Sequence, residues 1–296
     1  MAGNHNHRKH NQVSQNIRVA FFLNLSFTIL EIIGGLFTNS IAILSDALHD
    51  LGDSLSLGLA WYLEKLALKK PDRRFSFGYR RLSLLSALIN GIILIAGSVF
   101  ILSEAIPRLL APEPVNVAGM FYLSIFGIVV NGASVLRLRG GTTLNERVVT
   151  WHLIEDVLGW AAIFIISIVM YFWPVTILDT ILSLLITLFV LWNVLKRLKE
   201  TIVIFLQAVP PGIDIGRLEA DLEQLEVVSS VHHTHIWSLD GEKHIASTHI
   251  VVNNNWDYST AVSFKQTVRN IFSKFKIEHV TIELENKSET CEMIDC

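Results

Sequence analysis

The chain has 296 residues, 51% of them hydrophobic and 17% charged, with a formal net charge of −3 and a pI near 6.4. Soluble domains carry roughly 25% charged residues, so an ordinary soluble fold is excluded for most of the chain, and with no basic excess a nucleic-acid partner is excluded as well. Cys291 and Cys296 fall at the extreme C-terminus and cannot staple a core, which points to a reducing compartment.

Residues 1–16 form a polar arm with His5, His7 and His10. The arm does not read as an n-region followed by a small-residue cleavage site, so the first apolar block is expected to stay in the mature chain. A bilayer core about 30 Å thick needs roughly 20 apolar residues in a helix. Six segments qualify, at 17–37, 41–63, 81–106, 115–136, 148–172 and 175–195, giving a membrane domain over 17–205. The breaks carry turn chemistry at Thr38-Asn39-Ser40, Pro71-Asp72, Pro112-Glu113-Pro114, Gly140-Gly141 and Trp173-Pro174. Lys and Arg collect in the N-terminal arm, the second and fourth connections and the exit from the sixth segment, including Arg8, Lys69, Arg73, Arg139 and Lys196. That asymmetry fits an even number of spans, as six are, with both termini in the cytoplasm.

Ionisable side chains inside a span cost a few kcal/mol or more, so they face a cavity or each other. The second segment reads Ser45-Asp46-Ala47-Leu48-His49-Asp50-Leu51-Gly52-Asp53, and the fifth reads Trp151-His152-Leu153-Ile154-Glu155-Asp156. In each a His precedes an Asp by four residues, which puts both on one helical face. Two such helices facing each other would present two imidazoles and two carboxylates, a tetrahedral set that suits Zn2+. No thiolate lies in the spans, against a Cu(I) carrier. His49, Asp53, His152 and Asp156 are therefore the expected transport ligands, with Asp46 on nearly the same face lining the approach. The bland alternative is a pair of interhelical hydrogen bonds. Asp50, Glu155, Glu31 and Asp179 are weaker candidates, and Asp179, after Pro174, fits the first turn of its helix, where a carboxylate is favourable.

The run from Glu31-Ile32-Ile33-Gly34-Gly35 through Thr38-Asn39-Ser40 to Ser45-Asp46-Ala47-Leu48-His49-Asp50-Leu51-Gly52-Asp53 resembles the cation diffusion facilitator signature, as do Phe77-Gly78-Tyr79-Arg80-Arg81 and the His152/Asp156 pair. The resemblance covers nearly the whole chain. It implies a homodimeric, proton-coupled zinc exporter of a bacterial inner membrane, often tolerating Cd2+, with a cytoplasmic metal-binding domain. One departure is Ser83, where relatives carry a Glu, so no metal role is expected there. The competing expectations are a membrane zinc sensor that does not transport, an exporter preferring cadmium, cobalt or iron(II), and an intramembrane zinc hydrolase. The hydrolase would need a His-Glu-x-x-His sequence in the spans, and there is none.

After Pro210-Pro211-Gly212 the pattern changes to an expected cytoplasmic domain over 206–288. Apolar spacing predicts a helix over 214–226, alternation predicts strands over 231–238 and 244–252 around Asp240-Gly241, and a second helix at 258–274 precedes a strand at 277–285. The order αββαβ is that of an open α+β fold and resembles the family's ferredoxin-like domain. Simple alternation places His233 and His235 on one face and His232 on the other. His235-Ile236-Trp237-Ser238 and Ser247-Thr248-His249 resemble paired family motifs, which makes His235, His249 and Glu285 the preferred ligands, with His279 and His232 behind them. The tail at 289–296 could add Cys291 and Cys296, and the N-terminal arm His5 or His7; disorder is the plain alternative for both. Zn2+ is expected as cargo and as a regulatory ligand, and no organic cofactor is expected.

Overall fold

A computed structural model of the chain describes residues 3–67, 71–138, 144–253, 258–289 and 291; the side chains of 3–20, 57, 60, 61, 64, 65, 67, 137, 138, 144–152, 258 and 259 lie outside that description. The chain divides into two compact units, one of residues Met1–Leu66 and Leu85–Leu198, the other of Ala67–Leu84 and Lys199–Cys296.

The first unit is helical: α1 (Gly3–Thr38), α2 (Ile41–Ala67), α3 (Leu82–Leu110), α4 (Val117–Leu138), α5 (Leu144–Phe172) and most of α6 (Ile177–Phe205). The α1–α2 break is built from its own residues. Thr38 Oγ1 donates back to the Gly34 carbonyl at 2.7 Å, Asn39 turns with φ 54, and Ser40 Oγ accepts from the Ile43 N–H at 3.2 Å to open α2. Five helices among the described residues are long and apolar enough to cross a membrane, over Phe21–Thr38, Leu82–Leu110, Val117–Leu136, Leu153–Phe172 and Ile177–Phe205. The remaining expected span, α2, has 27 residues, about 40 Å of helix, but Asp46, Asp50 and Asp53 interrupt its apolar run.

The helices pack around small residues. Trp160 of α5 is buried with Ile43, Met120 and Ile163, and its ring lies over Gly127 of α4 so closely that a Cβ there would overlap it. Leu48 of α2 sits against Gly97 of α3 in the same way. Phe37, Leu110, Tyr171 and Trp192 instead point outward with most of their surface exposed. An apolar exterior over polar interior residues such as Thr28, Ser98 and Thr187 is the arrangement a lipid solvent selects.

In the second unit the order is α7 (Ile215–Glu223), β1 (Val228–Ser238), β2 (His244–Val252), α8 (Tyr258–Lys274) and β3 (Ile277–Asn286). Asp214 caps α7 by accepting from the Arg217 N–H at 3.2 Å. The sheet order is β1-β2-β3, antiparallel for the first pair and parallel for the second. A parallel pair needs a crossover, and α8 supplies it. Leu218 and Leu222 of α7 and Val268 and Phe272 of α8 pack with Ile236, Ala246, Ile250 and Leu284 on one face of the sheet. Period-two alternation therefore sends Ser247, His249, Glu283 and Glu285 to the other face.

The α2–α3 connection belongs to this second unit. Arg80 Nη1 pairs with Asp240 Oδ2 at 3.3 Å in the β1–β2 turn, and the Phe77 ring meets His279 edge-on at 5.7 Å. Burial pushes the Asp240 carboxyl up, but the N–H groups of Lys243 and Glu242 and the Arg80 guanidinium outweigh it and hold the group below its ordinary value.

Candidate metal centres

The first candidate centre lies on α2 and α5. His49 Nε2 stands 3.7 Å from Asp53 Oδ2, one helical turn along α2, with both side chains about a quarter exposed. Asp156 of α5 is buried, whereas its neighbour Glu155 is exposed. His152 lies one turn before Asp156 on α5, and its side chain falls outside the described residues. The two helices approach closely at Gly159, where a Cβ would be 3.3 Å from Asp46 Oδ1.

More acid surrounds this point than a single ligand pair requires. Asp46 and Asp50 are buried on α2, and both lie close enough to Asp156 for the charges to interact. Glu31 of α1 is 2% exposed and faces Asp50, with Asp46 and Asp156 also in range. Asn24 of α1 fixes the α2 backbone here, donating from Nδ2 to the Asp50 carbonyl and to Ser54 Oγ, each at 3.1 Å. The sequence marked Asp46 as lining an approach; the structure sets it against α5 beside Asp156.

The second centre is on the open face of the sheet. His249 Nδ1 lies 2.6 Å from Glu285 Oε1, His232 Nε2 lies 3.2 Å from Glu285 Oε2, and Cys291 Sγ is 3.8 Å from His249 Nδ1. One donor atom from each of His232, His249, Glu285 and Cys291 falls within 4.8 Å of all the others. Tetrahedral zinc with bonds of ~2.0–2.3 Å sets its ligand atoms roughly 3.5 Å apart, so these side chains fit around one ion after small adjustments. Glu285 and His249 are largely buried, and Glu283 flanks His249 Nε2 at 3.4 Å.

This ligand group differs from the preferred set of His235, His249 and Glu285. The cause is a β-bulge. His232 pairs with His249 but His235 pairs with Ser247, so three steps along β1 match two along β2. The extra residue inverts the alternation, and His233 absorbs it with φ 54. His232 is thereby brought to the face of His249 and Glu285, opposite to the simple alternation. His233 joins the cluster, its ring centroid 5.2 Å from those of both His235 and His249. His235 lines a separate cavity of about 450 Å³ with Trp237, Thr234 and Ser247, and His279 is turned to Phe77. Cys291 arrives because the chain reverses after β3: the Asn286 N–H donates to Glu289 Oε2 at 3.1 Å and the Glu289 N–H to the Asn286 carbonyl at 3.0 Å. Cys296 and the side chains of His5 and His7 lie outside the described residues.

Comparisons with known proteins agree along the whole length. Residues 17–206 match the family described as the cation efflux transmembrane domain, and residues 210–287 match the cation efflux protein cytoplasmic domain. A protein of Bacillus velezensis named a cadmium, cobalt and zinc/H(+)-K(+) antiporter is 35% identical over 96% of this chain and 92% of its own length. The metal cation efflux system protein CzcD of Cupriavidus metallidurans is 30% identical, covering 100% of this chain and 93% of its own length. The zinc transporter ZitB of Escherichia coli is 30% identical, covering 100% and 96%.

Proposed function

The chain belongs to the cation efflux family, and from that premise we propose that it exports a divalent transition metal, zinc foremost, from the cytoplasm in exchange for protons. The cargo is held by His49 and Asp53 of α2 together with His152 and Asp156 of α5. The observation that carries this reading is the His49–Asp53 pair one turn apart, on a helix whose neighbouring acid packs against α5 beside Asp156. Two imidazoles and two carboxylates satisfy a borderline dication without thiolate, and cadmium or cobalt fits the same donors less selectively. The names of the relatives support that metal range.

Six spans follow if α2 crosses with the other five helices, its acids turned to the bundle interior as intramembrane charges require. Both termini then lie in the cytoplasm of a bacterial inner membrane, and the chain works as a homodimer. Coupling to protons arises at the ligands themselves. Metal needs neutral imidazole and ionised carboxylate, so each bound ion displaces protons, and protons arriving from the far side displace the ion. Alternating exposure of the site to the two sides turns that competition into transport.

The cytoplasmic cluster of His232, His249, Glu285 and Cys291 is the second metal site, and it serves regulation. Bound zinc would tie β1, β2, β3 and the tail into one unit when cytoplasmic metal is plentiful.

Zinc flux in proteoliposomes with an imposed pH gradient tests the proposal. Wild type should move zinc and protons in opposite directions, and His49→Ala should abolish flux while the protein stays folded. Normal flux in His49→Ala would sink the four-ligand reading. Zinc binding with no flux in wild type would make the chain a sensor instead.

A further inference from the structure

A buried carboxylate outside the metal centres joins α6 to the start of α2. Asp179, in the first turn of α6, is 1% exposed. Its Oδ1 accepts from Ser40 Oγ at 2.5 Å and from the Ala42 N–H at 3.4 Å, and its Oδ2 accepts from the Ile41 N–H at 2.8 Å. These are orphan donors at the N-terminus of α2, a helix with no acid in its own first turn. A carboxylate there also meets the positive end of the helix dipole. Arg108 of α3 is near enough to act on Asp179, and it fixes the preceding turn by donating to the carbonyl and to Oδ1 of Asn39, each at 3.0 Å. Further along, Ser45 Oγ and Thr187 Oγ1 share a hydrogen bond of 2.8 Å. Two ties, advancing in the same direction on both helices, fix the height and rotation of α2 against α6.

The distance to the cargo ligands gives this tie a consequence. At 1.5 Å per residue, His49 lies about 12 Å and Asp53 about 18 Å along α2 from Ile41. A helix is stiff over that length, so its anchored end sets the depth and the direction at which both ligands are presented. We propose that Asp179 is a positioning residue for transport: by capping α2 from α6 it holds His49 and Asp53 at the depth where the ligands of α5 can complete the site. This rests on the reading of His49 and Asp53 as cargo ligands.

The test is zinc flux over a concentration series in proteoliposomes holding wild type, Asp179→Leu, Asp179→Asn, Ser40→Ala, the Ser40→Ala/Asp179→Leu double variant and His49→Ala, with thermal unfolding of each protein in detergent. Asp179→Leu should raise KM for zinc about tenfold or more, on the scale of misplaced or unsupported ligands, while the maximal rate changes far less. Asp179→Asn keeps the shape and an acceptor and should recover most of the affinity. Ser40→Ala should raise KM more mildly and add little on top of Asp179→Leu, because both remove one interaction. A folded Asp179→Leu protein with wild-type KM overturns the proposal. If Asp179→Leu does not fold, a folded Ser40→Ala protein with unchanged KM overturns it instead. Flux retained in His49→Ala would refute the assignment of the cargo ligands, an outcome separate from either of these.

Discussion

His249 and Glu285 meet between parallel strands with Nδ1 and Oε1 only 2.6 Å apart, and both are almost fully buried. A buried imidazole–carboxylate contact on the face away from the helices adds nothing to the apolar core. Its chemistry suits the proposed metal site, with His232 and Cys291 at its margins. Full-length protein titrated with cadmium should show a thiolate-to-metal charge-transfer band in the ultraviolet, lost in Cys291→Ser. His249→Ala should weaken binding at this site by at least about tenfold while His235→Ala leaves it near wild type. Equal losses for His235 and His249 would return the site to the set that the family motifs led us to expect.

The Asp240–Arg80 contact predicts a dependence on pH whose sign is fixed. Asp240 is held below its ordinary value in the folded chain, so its stabilisation is fully present above the unfolded value near 3.9 and is lost as pH falls through the lower folded value. Arg80 is 41% exposed, so solvent screening limits the ion pair itself to less than about 1 kcal/mol. Hydrogen exchange of the connection between α2 and α3, taken relative to the intrinsic amide rate at each pH, should be slow at neutral pH and gain on that intrinsic rate below about pH 4. In Asp240→Asn it should already be faster at neutral pH, and exchange indifferent to that substitution would show that the contact does not hold the loop.

The order αββαβ was legible because helix and strand periods differ, and the Asp240-Gly241 turn separates β1 from β2 as its residues demand. The face of His232 was not. Its position depends on a bulge that His233 accommodates with a positive φ, a conformation His tolerates more often than most residues and that alternation does not reveal. β1 begins at Val228 rather than at residue 231 because a second register shift between Val228 and Ser230 blurs its alternation. The role of Cys291 was illegible for another reason. It depends on a turn after β3 held by Glu289, in a stretch with no periodicity to read. On α2 the sequence marked Asp46 and His49 by their cost in a membrane, but which carboxyl groups share a space with Glu31 depends on helix rotation, and only packing settles that.

The contact of Trp160 with Gly127 gives a packing prediction. Gly127→Ala places a methyl group where the indole ring lies, so the ring or α4 must move. Overpacking of this kind costs about 1–3 kcal/mol, to be read as a lowered unfolding temperature in detergent. Because α4 and α5 then separate slightly and α5 carries Asp156, zinc affinity in flux assays should fall as well. A variant as stable as wild type would mean that the ring repacks at no cost.

Metal selectivity is the most direct probe of the donor set. Zinc accepts mixed imidazole and carboxylate ligands in a tight tetrahedron, whereas a carboxylate in place of an imidazole makes a harder, more adaptable site that can also bind through both oxygens. In His152→Asp the site would carry one imidazole and three carboxylates. Competition flux with zinc and cadmium together should move toward the larger ion, with the cadmium-to-zinc ratio rising about tenfold, equivalent to ~1.4 kcal/mol. The same ratio in His235→Ala should stay at the wild-type value, since His235 lies in the other compact unit. If His152→Asp changed the total rate and left the ratio untouched, selectivity would reside elsewhere on the path, and the acids beside Asp156 would be the next residues to vary.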